Sequence, residues 1–147
     1  MSVASPGAIV IDASMALAWL FERQTPADQQ RANHLLEACG QSPWWVPGLW
    51  HLEVRNALLV AERRSVLNQP ASDLFLARLS SLPFLTESDH SPERSTRILG
   101  LARAHRLSSY DATYLELAQR LGASLASFDR DLNQAAAGVG VALVEAP

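Results

Sequence analysis

The clearest feature of the hydrophobic pattern is an apolar run near the start of the chain, residues 8–11, which ends abruptly on Asp12. Val10 and Ile11 are adjacent and β-branched, so apolar and polar positions do not alternate, as is typical of a parallel strand covered on both faces. In open α/β sheets, ligands bind beyond the carboxyl ends of the strands, which is where Asp12 would lie. The acid has two interpretations at this point: it binds a ligand, or it caps the helix that follows.

Helical stripes and short apolar runs alternate along the remaining chain. Helices are predicted over residues 14–22 with Ser14 as the N-cap, and then over 25–40, 49–67, 72–82, 91 to about 102, 107–122 and 130–137. Further strands are predicted over residues 44–47, 83–86, 123–128 and 141–144. This alternation predicts an α/β fold, a three-layer α/β/α sandwich around a central parallel sheet of four to five strands. The length favours a single domain that spans residues 1–147.

Composition and charge restrict the chemistry. No apolar run approaches the roughly 20 residues of a membrane span, and the start of the chain lacks the features of a signal peptide, so we expect a cytoplasmic protein without a membrane partner. All 12 basic residues are arginine, which excludes mechanisms that need a lysine. The net charge of −3 gives no general attraction to nucleic acid, so any such contact must be local and based on arginine.

Four carboxylates occupy comparable positions relative to the predicted strands. Asp12 and Asp129 end apolar runs, whereas Glu53 and Asp111 lie early on predicted helices. Each acid alone also has a structural explanation, because capping and the helix dipole favour acids there. Four acids close together repel one another unless a cation neutralises them, and hard oxygen ligands suit Mg²⁺ or Mn²⁺. The group therefore predicts a metal site that activates water for attack on a phosphodiester.

Four segments resemble, in order and spacing, the PIN-domain ribonucleases, and especially the VapC-type toxins of type II toxin–antitoxin modules. The segments are residues 10–14 (VIDAS), 47–58 (PGLWHLEVRNAL), 110–118 (YDATYLELA) and 125–129 (LASFD). The resemblance implies a toxin that is an endoribonuclease dependent on Mg²⁺ or Mn²⁺, a homodimer, and a cognate antitoxin that lies across the active-site groove. The catalytic and metal-binding residues that it implies are Asp12, Glu53, Asp111 and Asp129. The supporting residues that it implies are Ser14, Asn56 and Ser127.

The pattern also bears on residues near these motifs. Asp131 competes with Asp129 for the fourth acidic position, but the Ser-x-Asp pattern of residues 127–129 selects Asp129, and Asp131 is predicted to be solvated. Glu116 follows Asp111 by five residues, which turns it away from that face, so we predict a surface or supporting position. Candidate RNA contacts are Arg55, Arg103 and Arg106, and Arg63, Arg64 and His105 belong to the same two basic clusters. Short basic clusters are also typical of solvated faces. Two interpretations are open for Trp44, Trp45 and Trp50: a surface for a partner, or the core and the dimer interface.

Other phosphoryl-transfer and nucleotide-binding classes fit less well. Phosphatases of the haloacid-dehalogenase type need a second aspartate two positions after the first and a lysine later, and receiver domains need the same kind of lysine. This chain has Ser14 at that position and no lysine. Dinucleotide binding needs a glycine-rich first turn, which is absent after Asp12. The alternative that stays open is a PIN scaffold that binds RNA or protein without cutting it.

Overall fold

The computed structural model describes residues 7–23, 25–88 and 90–145. The elements are β1 (Ile9–Ile11), α1 (Ala13–Leu17), α2 (Pro26–Glu37), β2 (Trp44–Pro47), α3 (Gly48–Arg63), α4 (Gln69–Ser80), β3 (Phe84–Glu87), α5 (Pro92–His105), α6 (Ser109–Leu121), β4 (Ser124–Ala126) and α7 (Arg130–Gly138). No helix among the described residues is both long enough and apolar enough to cross a membrane. The predicted α/β class is confirmed.

The four strands of the described residues form one parallel sheet in the order β3-β2-β1-β4. β1 lies between β2 and β4, with Ile9 opposite both Trp44 and Ser124. Val10 and Ile11 are 0% exposed, as expected of a central parallel strand that is covered on both faces. Because the strands all run in one direction, their carboxyl ends meet at one edge of the sheet, and Asp12 follows β1 at that edge.

The helices that follow the strands begin at this same edge. α3 begins at Gly48, directly after β2 ends at Pro47, so Glu53 lies in its second turn. β4 ends at Ala126, and Asp129 is the N-cap of α7. Two of the predicted acids therefore follow β2 and β4 closely along the chain, beside the end of β1.

Aromatic side chains fill the core between β2, β3 and the neighbouring helices. The ring centroid of Phe84 lies 5.4 Å from that of Trp44 and 4.7 Å from that of Trp50. Trp19 stacks on Trp44 with a centroid distance of 5.6 Å. Trp44 is 1% exposed and Trp50 is 3% exposed. Of the two interpretations of the tryptophans, the core is therefore correct for these two, whereas Trp45 is only half-buried.

The first helix is shorter than predicted. α1 ends at Leu17, and the backbone then continues through tighter bonds, from the Ala18 N–H to the Met15 carbonyl at 3.2 Å and from the Trp19 N–H to the Ala16 carbonyl at 3.1 Å. Such i→i−3 bonds tighten the end of a helix and stop its regular propagation. The predicted helix over residues 14–22 is therefore wrong at its second half.

The long helix α3 also ends earlier than the predicted residue 67. Ser65 has a φ of +58°, in the left-handed region, and the Val66 N–H donates back to the Ala61 carbonyl at 2.9 Å. This is the hydrogen-bonding pattern of a helix that terminates through a left-handed residue. The apolar Val66 and Leu67 continue the helical pattern in the sequence, which explains the error.

Further boundaries differ from the prediction, among them the end of β4, which lies at Ala126 and not at residue 128. α4 begins at Gln69 and not at Ser72, because the Asn68 side chain accepts the Ala71 N–H at 2.9 Å and caps the helix. The strand predicted over residues 141–144 is a single bridge between Leu143 and Leu125. The sheet thus has four strands, within the predicted range of four to five.

Candidate active site

Asp12 lies at the centre of the site and is 5% exposed. Its backbone N–H donates to the Ala126 carbonyl at 3.1 Å, which ties the end of β1 to the end of β4. Its carboxylate accepts hydrogen bonds from the Ser14 hydroxyl at 2.7 Å, from the Met15 N–H at 3.0 Å and from the Ser127 hydroxyl. Asp12 is therefore the N-cap of α1, and the prediction that Ser14 caps this helix is wrong.

The negative charge of Asp12 is poorly compensated. Burial raises the pKa of its carboxyl from 3.8 to about 6, although hydrogen bonds from Ser127, Ser14 and Met15 act in the opposite direction. The negative charge of Glu53 raises this pKa further. Among the described residues, no arginine forms an ion pair with Asp12. A buried carboxylate in this environment is suited to a cation from outside the chain.

The segment after β4 is hydrogen-bonded to Asp12 at several points. Ser127 is 0% exposed, and its hydroxyl donates to Asp12 while accepting the Asp129 N–H at 2.9 Å. The Phe128 N–H donates to the Ser14 hydroxyl at 2.9 Å. The two serines therefore hold the Ser-x-Asp segment against Asp12. Their part in a reaction stays a prediction.

Glu53 is positioned by a residue that the sequence reasoning missed. The Tyr114 hydroxyl donates to Glu53 Oε1 at 2.6 Å, which joins α6 to α3 across the site. Tyr114 is 1% exposed, and burial raises the pKa of its hydroxyl, so it remains a donor. Burial also raises the pKa of the Glu53 carboxyl, and the hydrogen bond from Tyr114 limits the rise. The spacing in the sequence could have placed Tyr114 in the site, because it follows Asp111 by three residues and lies one turn along the same helix.

The negative charges of three other acids act on the Asp111 carboxyl. Its N–H donates to the Ser108 hydroxyl at 3.0 Å, which caps α6 and fixes the first turn. Burial raises the pKa of its carboxyl to about 6, and the charges of Asp129, Glu53 and Asp131 raise it too. The charges of acids on α3 and at the start of α7 therefore act on the Asp111 carboxyl at the start of α6. Asp131 is exposed, and its charge contributes to the raised pKa of Asp111.

Other predicted site residues lie further out. Asn56 is exposed on α3, and Arg103 is exposed on α5. Arg55 lines a cleft with Trp50, His51 and Thr86 that none of the four acids lines. Arg106 lines an open cleft with Asp131, together with His105, Gln134 and Ala135. Among Arg55, Arg103 and Arg106, Arg106 shares a cleft with Asp131, whose charge acts on Asp111.

Of the two positions predicted for Glu116, surface and supporting, the surface position is wrong. Glu116 is 1% exposed and bonds Arg94 at 2.6 Å and Arg120 at 2.9 Å. Arg97 lies 3.7 Å from its second oxygen. A buried carboxylate is stable when positive side chains and hydrogen bonds surround it. Glu116 therefore holds α5 to α6, and its charge is neutralised within the protein, unlike the charge of Asp12.

The residue types fit a divalent cation. Carboxylate oxygens that could act as metal ligands come from Asp12, Glu53, Asp111 and Asp129. Among the described residues, none of these acids forms an ion pair with an arginine. In the same part of the chain, no group of three or more His, Cys, Asp or Glu side chains is placed to hold a metal ion. Mg²⁺ commonly uses one or two carboxylates and keeps several waters. The site therefore fits this kind of ion and does not fit one that needs a full protein cage.

Fold and site together define a parallel α/β protein with an acidic centre beyond the carboxyl ends of its strands. The family model for the PIN domain matches residues 9–138, and the chain belongs to the PIN-domain family. No curated protein matches the sequence significantly.

Solved structures share the fold. PAE2754 from Pyrobaculum aerophilum matches with a TM-score of 0.67 and 23% identity, over 88% of this chain and 79% of that one. A toxin–antitoxin complex from Klebsiella pneumoniae matches with a TM-score of 0.58 and 19% identity, over 84% and 88% of the two chains. VapC20 from Mycobacterium tuberculosis, a sarcin-ricin loop cleaving toxin, matches with a TM-score of 0.60 and 19% identity, over 86% and 94%. At these identities the likeness establishes the fold.

Proposed function

We propose that this chain is a metal-dependent endoribonuclease and the toxin of a toxin–antitoxin pair. The observation that carries the proposal is the uncompensated charge of Asp12, which is buried at the carboxyl edge of the sheet, beside Ser127 and within electrostatic reach of Glu53. Membership of the PIN-domain family supports a nuclease of this kind. The toxin and the toxin–antitoxin complex among the structures of similar fold support the biological role.

In this proposal the four acids bind the metal ion together. Asp12, Glu53, Asp111 and Asp129 would hold Mg²⁺ or Mn²⁺, one or two of them directly and the others through water. The bound ion supplies charge neutralisation at the phosphate and a more acidic water. Tyr114 orients Glu53 through its hydroxyl, and Ser127 holds Asp12 and the Asp129 backbone in one arrangement. Hydrolysis at a phosphodiester is the chemistry that such a site supports.

Substrate and partners follow from the same proposal. The substrate is RNA, with Arg55, Arg103 and Arg106 as candidate phosphate contacts and Asn56 as a supporting polar residue. The protein partners are a second copy of the chain and an antitoxin that covers the acidic groove. Sedimentation of the purified chain, alone and with the product of a small reading frame beside its gene, tests both partners. A monomer that binds no such product would contradict this part of the proposal.

One observation favours a second candidate function, a PIN scaffold that binds RNA without cutting it. The described residues contain no preassembled group of three metal ligands. The two functions differ in a simple assay, in which labelled RNA and DNA of the same sequence are incubated with the purified protein in EDTA, Mg²⁺ or Mn²⁺. We expect cleavage of RNA only with a divalent ion. Binding of RNA without cleavage under all these conditions would establish the second candidate instead.

A further inference from the structure

A cluster outside the acidic site has no part in the function proposed above. The guanidinium carbon of Arg23 lies 4.3 Å from the centroid of the Phe128 ring, and that of Arg31 lies 5.2 Å from it. Both distances are within the range of cation–π contacts. Asp28 lies between the two side chains, 3.7 Å from Arg23 and 3.9 Å from Arg31. Arg23 and Arg31 together are named the arginine pair here.

The arginine pair has unused hydrogen-bonding capacity. Each guanidinium has five N–H donors, yet within the described residues the only hydrogen bond from either side chain is that of Arg31 Nη2 to the Val144 carbonyl, at 3.1 Å. The Nε atoms of both arginines are buried and have no hydrogen-bond partner. The contacts with Asp28 are longer than hydrogen bonds. Two positive charges and one negative charge leave one net positive charge and several free donors, which is the chemistry of an anion site.

The pair is both anchored and accessible. The Arg23 N–H donates to Gln29 Oε1 at 2.9 Å, and Gln29 Nε2 donates to the Ala18 carbonyl at 3.2 Å, which fixes the backbone between α1 and α2. The side chains of Arg23 and Arg31 are 34% and 24% exposed. Stacking on a ring covers one face of the planar guanidinium and leaves its edges to donate to two oxygens of a ligand such as a phosphate.

Phe128 connects the arginine pair with the acidic site. It lies between Ser127, which bonds Asp12, and Asp129, and its own N–H donates to the Ser14 hydroxyl at 2.9 Å. The ring that carries the arginines is therefore part of the segment that carries an acid of the site.

We propose that the arginine pair binds a backbone phosphate of the RNA substrate, next to the phosphodiester that enters the acidic site. This inference rests on the proposed function. An RNA strand that places one phosphate among the acids necessarily brings further phosphates at its regular spacing, and the acids themselves repel them. An acidic protein segment has no such obligatory spacing of charges, which favours RNA as the ligand.

Binding is measured by the anisotropy of a labelled single-stranded RNA in EDTA, so that cleavage plays no part, over a series of NaCl concentrations. Arg23→Gln is expected to weaken binding about tenfold, as for the loss of a hydrogen bond to a charged group. It should also reduce the slope of log K against log salt by roughly 0.7, the contribution of one phosphate on a single strand. Arg23→Lys should retain part of the affinity, because the charge remains while the planar fork is lost.

The matched control is Arg78→Gln, which changes the net charge equally. Arg78 is exposed in the last turn of α4, a helix that carries none of the four acids. This control should bind RNA like the wild type, and thermal unfolding should show that both variants are folded. Equal binding by Arg23→Gln and the wild type would overturn the inference even if RNA is cleaved normally. So would failure of the wild type to bind RNA, or an Arg23→Gln variant that loses only the binding of a glutamate-rich peptide.

Discussion

Asp12 both begins a helix and forms the centre of the acidic site. Its carboxylate accepts the Met15 N–H, as an N-cap does, while it also accepts the hydroxyls of Ser14 and Ser127. The two interpretations that the sequence leaves open, cap and ligand, are therefore compatible. The helix dipole and the cap hydrogen bond stabilise the charged carboxylate and so favour a lower pKa. At Asp12 burial outweighs them and raises the pKa to about 6, so capping alone does not compensate the charge.

At the same scale, Tyr114 gives a direct test of how Glu53 is oriented. Tyr114→Phe removes the hydroxyl that donates to Glu53 at 2.6 Å and leaves the apolar ring in place. We expect a loss of about 1–2 kcal/mol in the free energy of unfolding and a reduced kcat for RNA cleavage with little change in KM. Tyr110→Phe is the matched control, since Tyr110 is 66% exposed, and it should change neither quantity. Wild-type kcat in Tyr114→Phe would contradict an orienting role.

Asp111 gives a prediction about pH in the absence of metal. Burial and the charge of Asp129 raise its pKa from 3.8 to about 6, so the folded state binds a proton more tightly than the unfolded state. This pKa difference between the folded and unfolded states contributes its full stabilisation below pH 4. The contribution is lost as the pH rises through 6. Asp111→Asn should therefore be more stable than the wild type at pH 7.5, by on the order of 1 kcal/mol after allowance for solvent screening.

Denaturant unfolding in EDTA at pH 4 and pH 7.5 measures this effect. The advantage of Asp111→Asn should disappear at the lower pH. Asp73→Asn, on the exposed face of α4, is the control and should show no such dependence. An Asp111→Asn variant that is less stable than the wild type at pH 7.5 would contradict the repulsion among the acids.

The sequence identified the motif residues but not all of their contacts. The segments around Asp12 and Asp129 could be placed because an apolar run that ends on an acid leaves a local pattern. Tyr114 was missed because a tyrosine on the apolar side of a helix has the pattern of a core residue. The surface alternative for Glu116 is wrong because its burial depends on Arg94, which is 22 residues away in the sequence and reaches it only in the folded chain.

At the scale of the elements, helix caps place the acids. The Ser108 hydroxyl accepts the Asp111 N–H, and so the cap of α6 fixes the turn that carries an acid. Ser108→Ala should lower the free energy of unfolding by about 1 kcal/mol and should also reduce cleavage, because the first turn of α6 frays.

Asn68→Ala provides the control for this cap. Asn68 caps α4 in the same way, accepting the Ala71 N–H at 2.9 Å, and α4 carries none of the four acids. It should lose a similar amount of stability, measured by denaturant unfolding, without a loss of cleavage. Equal losses of cleavage in the two variants would show that stability alone, and not the position of Asp111, is responsible.

Most elements could be predicted, because strand and helix periods are clear in the apolar positions. The errors lie at the ends and have local causes. Residues 64–67 continue the helical pattern of α3, but the left-handed Ser65 ends it, and a serine gives little signal for that conformation. The run over residues 141–144 has the composition of a strand, yet only Leu143 bridges to β4. Pairing depends on the neighbouring strand, which the local sequence does not encode.

In the whole molecule, we expect folding and metal binding to be coupled. Millimolar Mn²⁺ should raise the melting temperature of the wild type by several degrees, because an ion at 100 times its dissociation constant adds about 2.7 kcal/mol. The rise should be much smaller in Asp12→Asn, which removes a charge from the buried centre of the site. Differential scanning fluorimetry with and without Mn²⁺ measures both. Equal shifts in the two proteins would place the ion elsewhere.

The rate of RNA cleavage by the purified wild type and Asp12→Asn in Mn²⁺ tests whether the acidic site is the catalytic centre. Asp73→Asn, which removes an exposed acid outside the site, is measured beside them. We expect metal-dependent cleavage by the wild type and Asp73→Asn, and none by Asp12→Asn, although Asp12→Asn remains folded because it loses a repelling charge. Undiminished cleavage by folded Asp12→Asn would contradict the assignment of the acidic site as the catalytic centre.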